Sequence, residues 1–145
     1  MRLLLAAAAG AARWTFVGEK EERKFLDSAV APLVDDVRRT LDRGFSIEFH
    51  VQDDLWMWTA GGSSMSIASV GWDPDDAPPD GLAATTARLA YEIPDFAFDD
   101  VLEPWPPCPR HHDHPLYPEV RGKRAMWVCR RIGGGPIVEV GQLPA

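Results

Sequence analysis

The sequence predicts an α+β fold in which a helix, a three-stranded antiparallel meander and a second helix precede a closing three-stranded β-ribbon. Three observations predict it. Leu26, Val30, Leu33, Val37 and Leu41 recur at three and four residues, which is the spacing of one helix face. From Phe45 to Val51 apolar and polar residues alternate, the period of a half-buried strand. The C-terminal stretch then holds short apolar runs separated by glycine-bearing turns, together with both cysteines and most of the histidine.

The first helix is expected between Asp27 and Arg43, with Ser28 as N-cap, Pro32 in the first turn and Gly44 as the C-terminal stop. Asp35, Asp36, Arg38 and Arg39 fall largely on its polar face. Upstream, Glu19 to Lys24 is a charged helical turn or a loop. The meander follows as Phe45–Val51, Leu55–Thr59 and Met65–Gly71, with turns at Asp53-Asp54 and Ala60 to Ser63. Three Pro and four Asp between Asp73 and Gly81 make a loop. A second helix runs from about Leu82 to Ile93 and breaks near Pro94. Strands at Leu116–Val120, Ala125–Cys129 and Ile137–Val140 complete the chain. The expected organisation is an αβββα domain at residues 1–103 and a Cys/His ribbon at 104–145, packed as two units or one.

Composition sets the class. A chain of 145 residues with 46% hydrophobic content and six Trp can bury a core. Nothing approaches the roughly 18 apolar residues of a membrane span. The opening Met1-Arg2-Leu3-Leu4-Leu5 and the alanines after it imitate a secretory signal but are short for one. An opening helix or a misplaced start explains the run equally well. The net charge of −7 is uneven: residues 1–50 balance to zero, 51–105 carry −10 and 106–145 carry +3. The acidic middle disfavours bulk nucleic-acid binding.

One constellation can carry chemistry. Cys108, His111, His114 and Cys129 follow the pattern Cys-x2-His-x2-His, fourteen residues, Cys, with His112 as a spare that could exchange roles with His111. Thiolate and imidazole are the usual ligands of tetrahedral zinc, so the four form a candidate structural zinc set in a ribbon of zinc-ribbon type. A short ribbon buries little apolar area, and structural zinc contributes on the order of 10–16 kcal/mol in isolated finger peptides. Two features oppose a standard ribbon. The second turn offers one ligand where a full ribbon has two, and Arg130 and Arg131 stand beside it. A Cys108–Cys129 disulfide, worth roughly 3 kcal/mol, or two free core thiols are the other states the spacing allows.

Other features carry less. The loop beginning Asp73-Pro74-Asp75-Asp76 lacks the calcium-loop pattern. Trp56 and Trp58 share a strand face that suits core packing better than a ligand, and His50 lies on a polar face. Gly133-Gly134-Gly135 has no following helix and so makes no phosphate cradle. The chain has no nucleophile elbow, Walker loop or His-Glu-x-x-His pair.

The segment Trp105-Pro106-Pro107-Cys108-Pro109, with His111, then His114-Pro115-Leu116, Trp127-Val128-Cys129 and Gly141-Gln142-Leu143, resembles the C-terminal module of a set of small uncharacterised proteins typical of actinobacteria. The resemblance covers residues 104–145. It implies the identity of the module and a cytoplasmic location, and it implies no activity. The second cysteine of that module is usually followed by Pro, where this chain has Arg130.

The expected function is a non-enzymatic binding or adaptor protein with a protein partner, Arg121, Lys123, Arg124, Arg130 and Arg131 forming a contact surface. The alternative is an acidic immunity- or antitoxin-like inhibitor using Asp73, Asp75, Asp76, Asp80, Asp95, Asp99, Asp100 and Glu103. A third class is a metal-dependent hydrolase using the histidines and Asp113.

Overall fold

A computed structural model describes residues 7–8, 11–12, 19–52, 55–62, 68–72, 81–97 and 103–145. Residues 7–8 and 11–12 pair as two short antiparallel strands, β1 (Ala7–Ala8) and β2 (Ala11–Ala12), in place of the opening helix that the alanine run suggested. The other elements are α1 (Glu19–Thr40), β3 (Ser46–Gln52), β4 (Leu55–Gly61), β5 (Ala68–Trp72), α2 (Leu82–Ala97), β6 (Tyr117–Arg121), β7 (Arg124–Cys129) and β8 (Gly135–Glu139). The α+β class holds, with the three-stranded antiparallel meander β3-β4-β5 and the C-terminal antiparallel sheet β6-β7-β8. No helix among the described residues is long and apolar enough to cross a membrane.

Helix α1 starts at Glu19, nine residues before the expected N-cap Ser28. The charged run Glu19 to Lys24 is helical, as its straight-chain residues favour. Ser28 therefore lies inside the helix, and its hydroxyl donates to the Lys24 carbonyl at 2.8 Å. Pro32 is interior rather than in the first turn. The stop comes at Asp42 as much as at Gly44: the Asp42 carboxylate accepts the Gly44 N–H at 2.7 Å, an Asx turn that reverses the chain into β3. Leu26, Leu33 and Val37 are buried as expected, joined by Ala29, while Leu41 is exposed. Asp36, expected on the polar face, is fully buried.

Helix α2 runs through Pro94 to Ala97 rather than breaking at it. The missing proline N–H costs one bond in the last turn only. The sequence also allows the helix to resume through Phe96 and Phe98 to Leu102; Phe96 lies within α2, and residues 98–102 lie outside the described residues. Thr86 ties the helices together, donating to the Ala29 carbonyl at 2.8 Å, and α2 also touches β4, β5, β6 and β7. Leu33, Val37, Phe45, Leu89, Ile93, Trp105, Trp127 and both cysteines belong to one buried cluster, which spans residues on both sides of position 104.

The C-terminal sheet is two hairpins. Arg121 opposite Arg124 closes the first over Gly122 at φ 63°, a conformation glycine adopts without steric cost. In the second, the register shifts by a bulge between Trp127 and Val128. This bulge brings Cys129 opposite Gly135, at the mouth of the Cys/His loop.

Candidate metal centre

The loop entering the sheet is closed on itself before any ligand is considered. Pro107 bridges Pro115, the Cys108 N–H donates to the His114 carbonyl at 3.0 Å, and Leu116 N–H donates to the Pro106 carbonyl at 2.7 Å. Inside this closure the chain turns tightly. The N–H groups of His111 and His112 both donate to the Cys108 carbonyl, and Asp113 N–H donates to the His111 carbonyl. The turn holds His112 at φ 57°, so its side chain leaves on a different course from that of His111. His112 is exposed, while His111 and His114 are half-buried.

Cys108, His111, His114 and Cys129 converge, their ligand atoms all within 4.8 Å of one another, and could hold a metal ion. His111 Nδ1 lies 3.5 Å from the Cys108 sulfur and 3.5 Å from the Cys129 sulfur. His114 Nε2 lies 3.2 Å from His111 Nδ1 and 3.7 Å from the Cys129 sulfur. Both cysteines are free thiols and buried. His114 Nδ1 donates to the Pro115 carbonyl at 2.7 Å. That bond assigns the ring proton to Nδ1 and leaves the Nε2 lone pair facing the cluster, the arrangement that orients a metal-binding imidazole.

The surroundings of Cys108 favour its thiolate. Burial pushes the Cys108 thiol up, but the backbone N–H groups of Arg110 and His111, the Cys129 thiol and the Arg110 guanidinium bring it below its ordinary value. The thiolate is the form that binds metal. The two arginines that counted against the site are paired with carboxylates that are not among the four ligands. Arg131 donates to Asp113 at 2.6 Å. Arg130 pairs with Glu119 at 3.1 Å and stacks over the Tyr117 ring at 4.4 Å. Its hydrogen bond with Arg131 holds Asp113 below the usual carboxylate range, against a smaller effect of burial. Asp113, the acid a hydrolytic centre would draw on, is thus engaged outside the cluster.

Of the five basic side chains expected to form a contact surface, Arg121 and Arg130 pair with Glu119, Arg124 with Glu139 and Arg131 with Asp113. Asp73, Asp75, Asp76, Asp80, Asp99 and Asp100, and the side chains of Asp95, His50, Trp56 and Trp58, lie outside the described residues. Glu103 is described and exposed. Two contributors carried no sequence signal: the Pro115 carbonyl, a backbone group, and Gly134, whose Cα faces the Cys129 carbonyl so closely that a Cβ would overlap it. Comparison of the chain with known protein families, curated proteins and solved structures finds no match.

Proposed function

We propose that residues 104–145 are a structural zinc module and that the protein is a non-enzymatic binding or adaptor protein for a protein partner. One observation carries the zinc assignment. A zinc ion with Zn–S of about 2.3 Å and Zn–N of about 2.0–2.1 Å sets tetrahedral N···S edges of about 3.5–3.6 Å and an N···N edge of about 3.3–3.4 Å. Three of the four N···S separations in the cluster are 3.5, 3.5 and 3.7 Å and the N···N separation is 3.2 Å, with all four ligand atoms within 4.8 Å of one another. A closed Cys2His2 set leaves no position for a reacting water, which favours a structural over a catalytic role. Two thiolate ligands also need reduced cysteines, in keeping with a cytoplasmic setting. The resemblance to the actinobacterial module fits the same proposal, with three ligands on the first loop and one on the second.

The test is zinc content of the chain purified without added metal, with thiol titration before and after chelation. One zinc per chain and two thiols that react only after chelation are expected, and cobalt(II) loading should give the intense visible bands of a tetrahedral thiolate site. No metal with two reactive thiols, or a disulfide, would overturn the assignment. Ester or phosphate hydrolysis abolished by chelation would overturn the non-enzymatic part alone.

A further inference from the structure

Beside the Cys/His loop, on its outer side, lies a cleft of about 710 Å³, within the range of small-molecule sites. Its wall is mostly apolar, with Leu116, Ile137 and Trp105 among its residues. Its polar character is one-sided. Pro104, Pro106, Pro107, Pro109 and Pro144 line it, and proline has a carbonyl but no N–H.

Three donors that reach the wall are engaged elsewhere. Trp105 Nε1 donates to the Thr40 hydroxyl at 2.9 Å, and that hydroxyl donates to the Asp36 carbonyl at 2.7 Å. Leu143 N–H donates to the Asp36 carboxylate at 2.8 Å. Glu103 is the one acidic side chain on the lining, no lysine or arginine is among the lining residues, and His112 stands with it as a polar ring. The lining therefore holds one side-chain carboxylate and no lysine or arginine, and its five prolines supply no N–H.

From this we infer that the cleft binds a small organic ammonium: an aromatic or aliphatic body against the proline and Trp105 wall, with its N–H groups donated to Glu103. Ammonium has donors and no acceptor, the complement of a lining with one side-chain carboxylate and no lysine or arginine. An anionic ligand of the same shape would find no lysine or arginine on the described lining. The cleft would bind its ligand whether or not the Cys/His cluster holds zinc as its native ion, so the two proposals fail separately.

The experiment compares two fluorescent probes of the same ring system and opposite charge, pyrenylmethylamine and pyrenecarboxylate, titrated into the intact chain. The ammonium should bind with one site per chain and the carboxylate at least roughly tenfold more weakly, a difference of about 1.4 kcal/mol. Glu103→Gln, at an exposed position, should weaken the ammonium roughly tenfold and leave the carboxylate unchanged. Ile137→Trp, which fills the cleft, should abolish both, with circular dichroism reporting that the fold survives. Equal affinity for the two probes, no binding of the ammonium, or ammonium binding indifferent to Glu103→Gln would each overturn the inference.

Discussion

The indole N–H of Trp127 donates to the carboxylate of Asp36 at 2.7 Å across 91 residues of chain, and both side chains are fully buried. The same carboxylate accepts the backbone N–H groups of Gly141 at 2.7 Å and Leu143 at 2.8 Å. One turn along α1, Arg39 donates to the Leu143 carbonyl at 2.7 Å and the Gly141 carbonyl at 3.2 Å. Two residues of the first helix thus engage both the donors and the acceptors of the segment that follows the last strand. The Cys/His sheet is fastened to the helix by this polar lock as well as by apolar packing.

Asp36→Ala removes the acceptor from three N–H groups, those of Trp127 and Leu143 buried and that of Gly141 partly buried. Each unsatisfied buried donor costs about 1–3 kcal/mol, and loss of a desolvated charge offsets part of the sum. A net destabilisation of roughly 3 kcal/mol is expected, read as a lower urea midpoint of the zinc-loaded chain. An unchanged midpoint would mean that water replaces the carboxylate and that the lock is dispensable.

The lock also has a pH signature. Burial raises the carboxyl of Asp36 above 3.8, outweighing the lowering by Trp127, Gly141, Leu143 and Arg39. A raised folded-state value means the folded chain holds the proton more tightly than the unfolded one. The associated stability is fully present below 3.8 and is lost as pH rises through the raised value. Relative to Asp36→Asn, the wild type should therefore lose stability with rising pH and then level off. Urea midpoints of both proteins between about pH 4 and 8, at saturating zinc, measure the difference, since ligand protonation affects both alike. A wild type that instead gains on the variant with rising pH would show that the hydrogen bonds and Arg39 outweigh burial.

Asp36 also marks where the sequence stops being informative. Leu26, Leu33 and Val37 are legible because their burial follows from helical period alone. Asp36 shares that helix, but its partners lie 91 to 107 residues away, and no local pattern announces them. The start of α1 was obscured because Ser28 is a good N-cap in isolation, yet its hydroxyl is satisfied by Lys24 inside a longer helix. The Cys/His set was legible from spacing and residue type. The choice between His111 and His112 was not, since it depends on a left-handed residue inside the turn.

That choice is testable. His111→Gly removes a donor atom 3.5 Å from both sulfurs and should abolish stoichiometric zinc and lower the melting temperature. His112→Gly should keep one zinc per chain, because the side chain is exposed and glycine suits φ 57°. Relief of left-handed strain, about 1–2 kcal/mol, is opposed by the added freedom of the unfolded chain, so stability should change little. If the two variants lose zinc equally, His112 is a ligand and the assignment of the turn is wrong.

Gly134 and Gly133 separate close approach from backbone conformation in the second turn. A Cβ at Gly134 would overlap the Cys129 carbonyl oxygen and come within 2.7 Å of the Arg131 carbonyl, whereas one at Gly133 meets nothing within 4 Å. The obstacles at Gly134 are backbone atoms, so Gly134→Ala must displace Cys129, a proposed ligand. Zinc affinity should fall roughly ten- to hundredfold, the range seen when ligand positioning is disturbed, as read by competition with a chromogenic chelator. Gly133 sits at φ 76°, so Gly133→Ala should cost about 1–2 kcal/mol of stability through strain and leave affinity nearly unchanged. Equal losses of affinity would mean that the flexibility of the whole turn governs the fourth ligand, and that its contact with the Cys129 carbonyl does not.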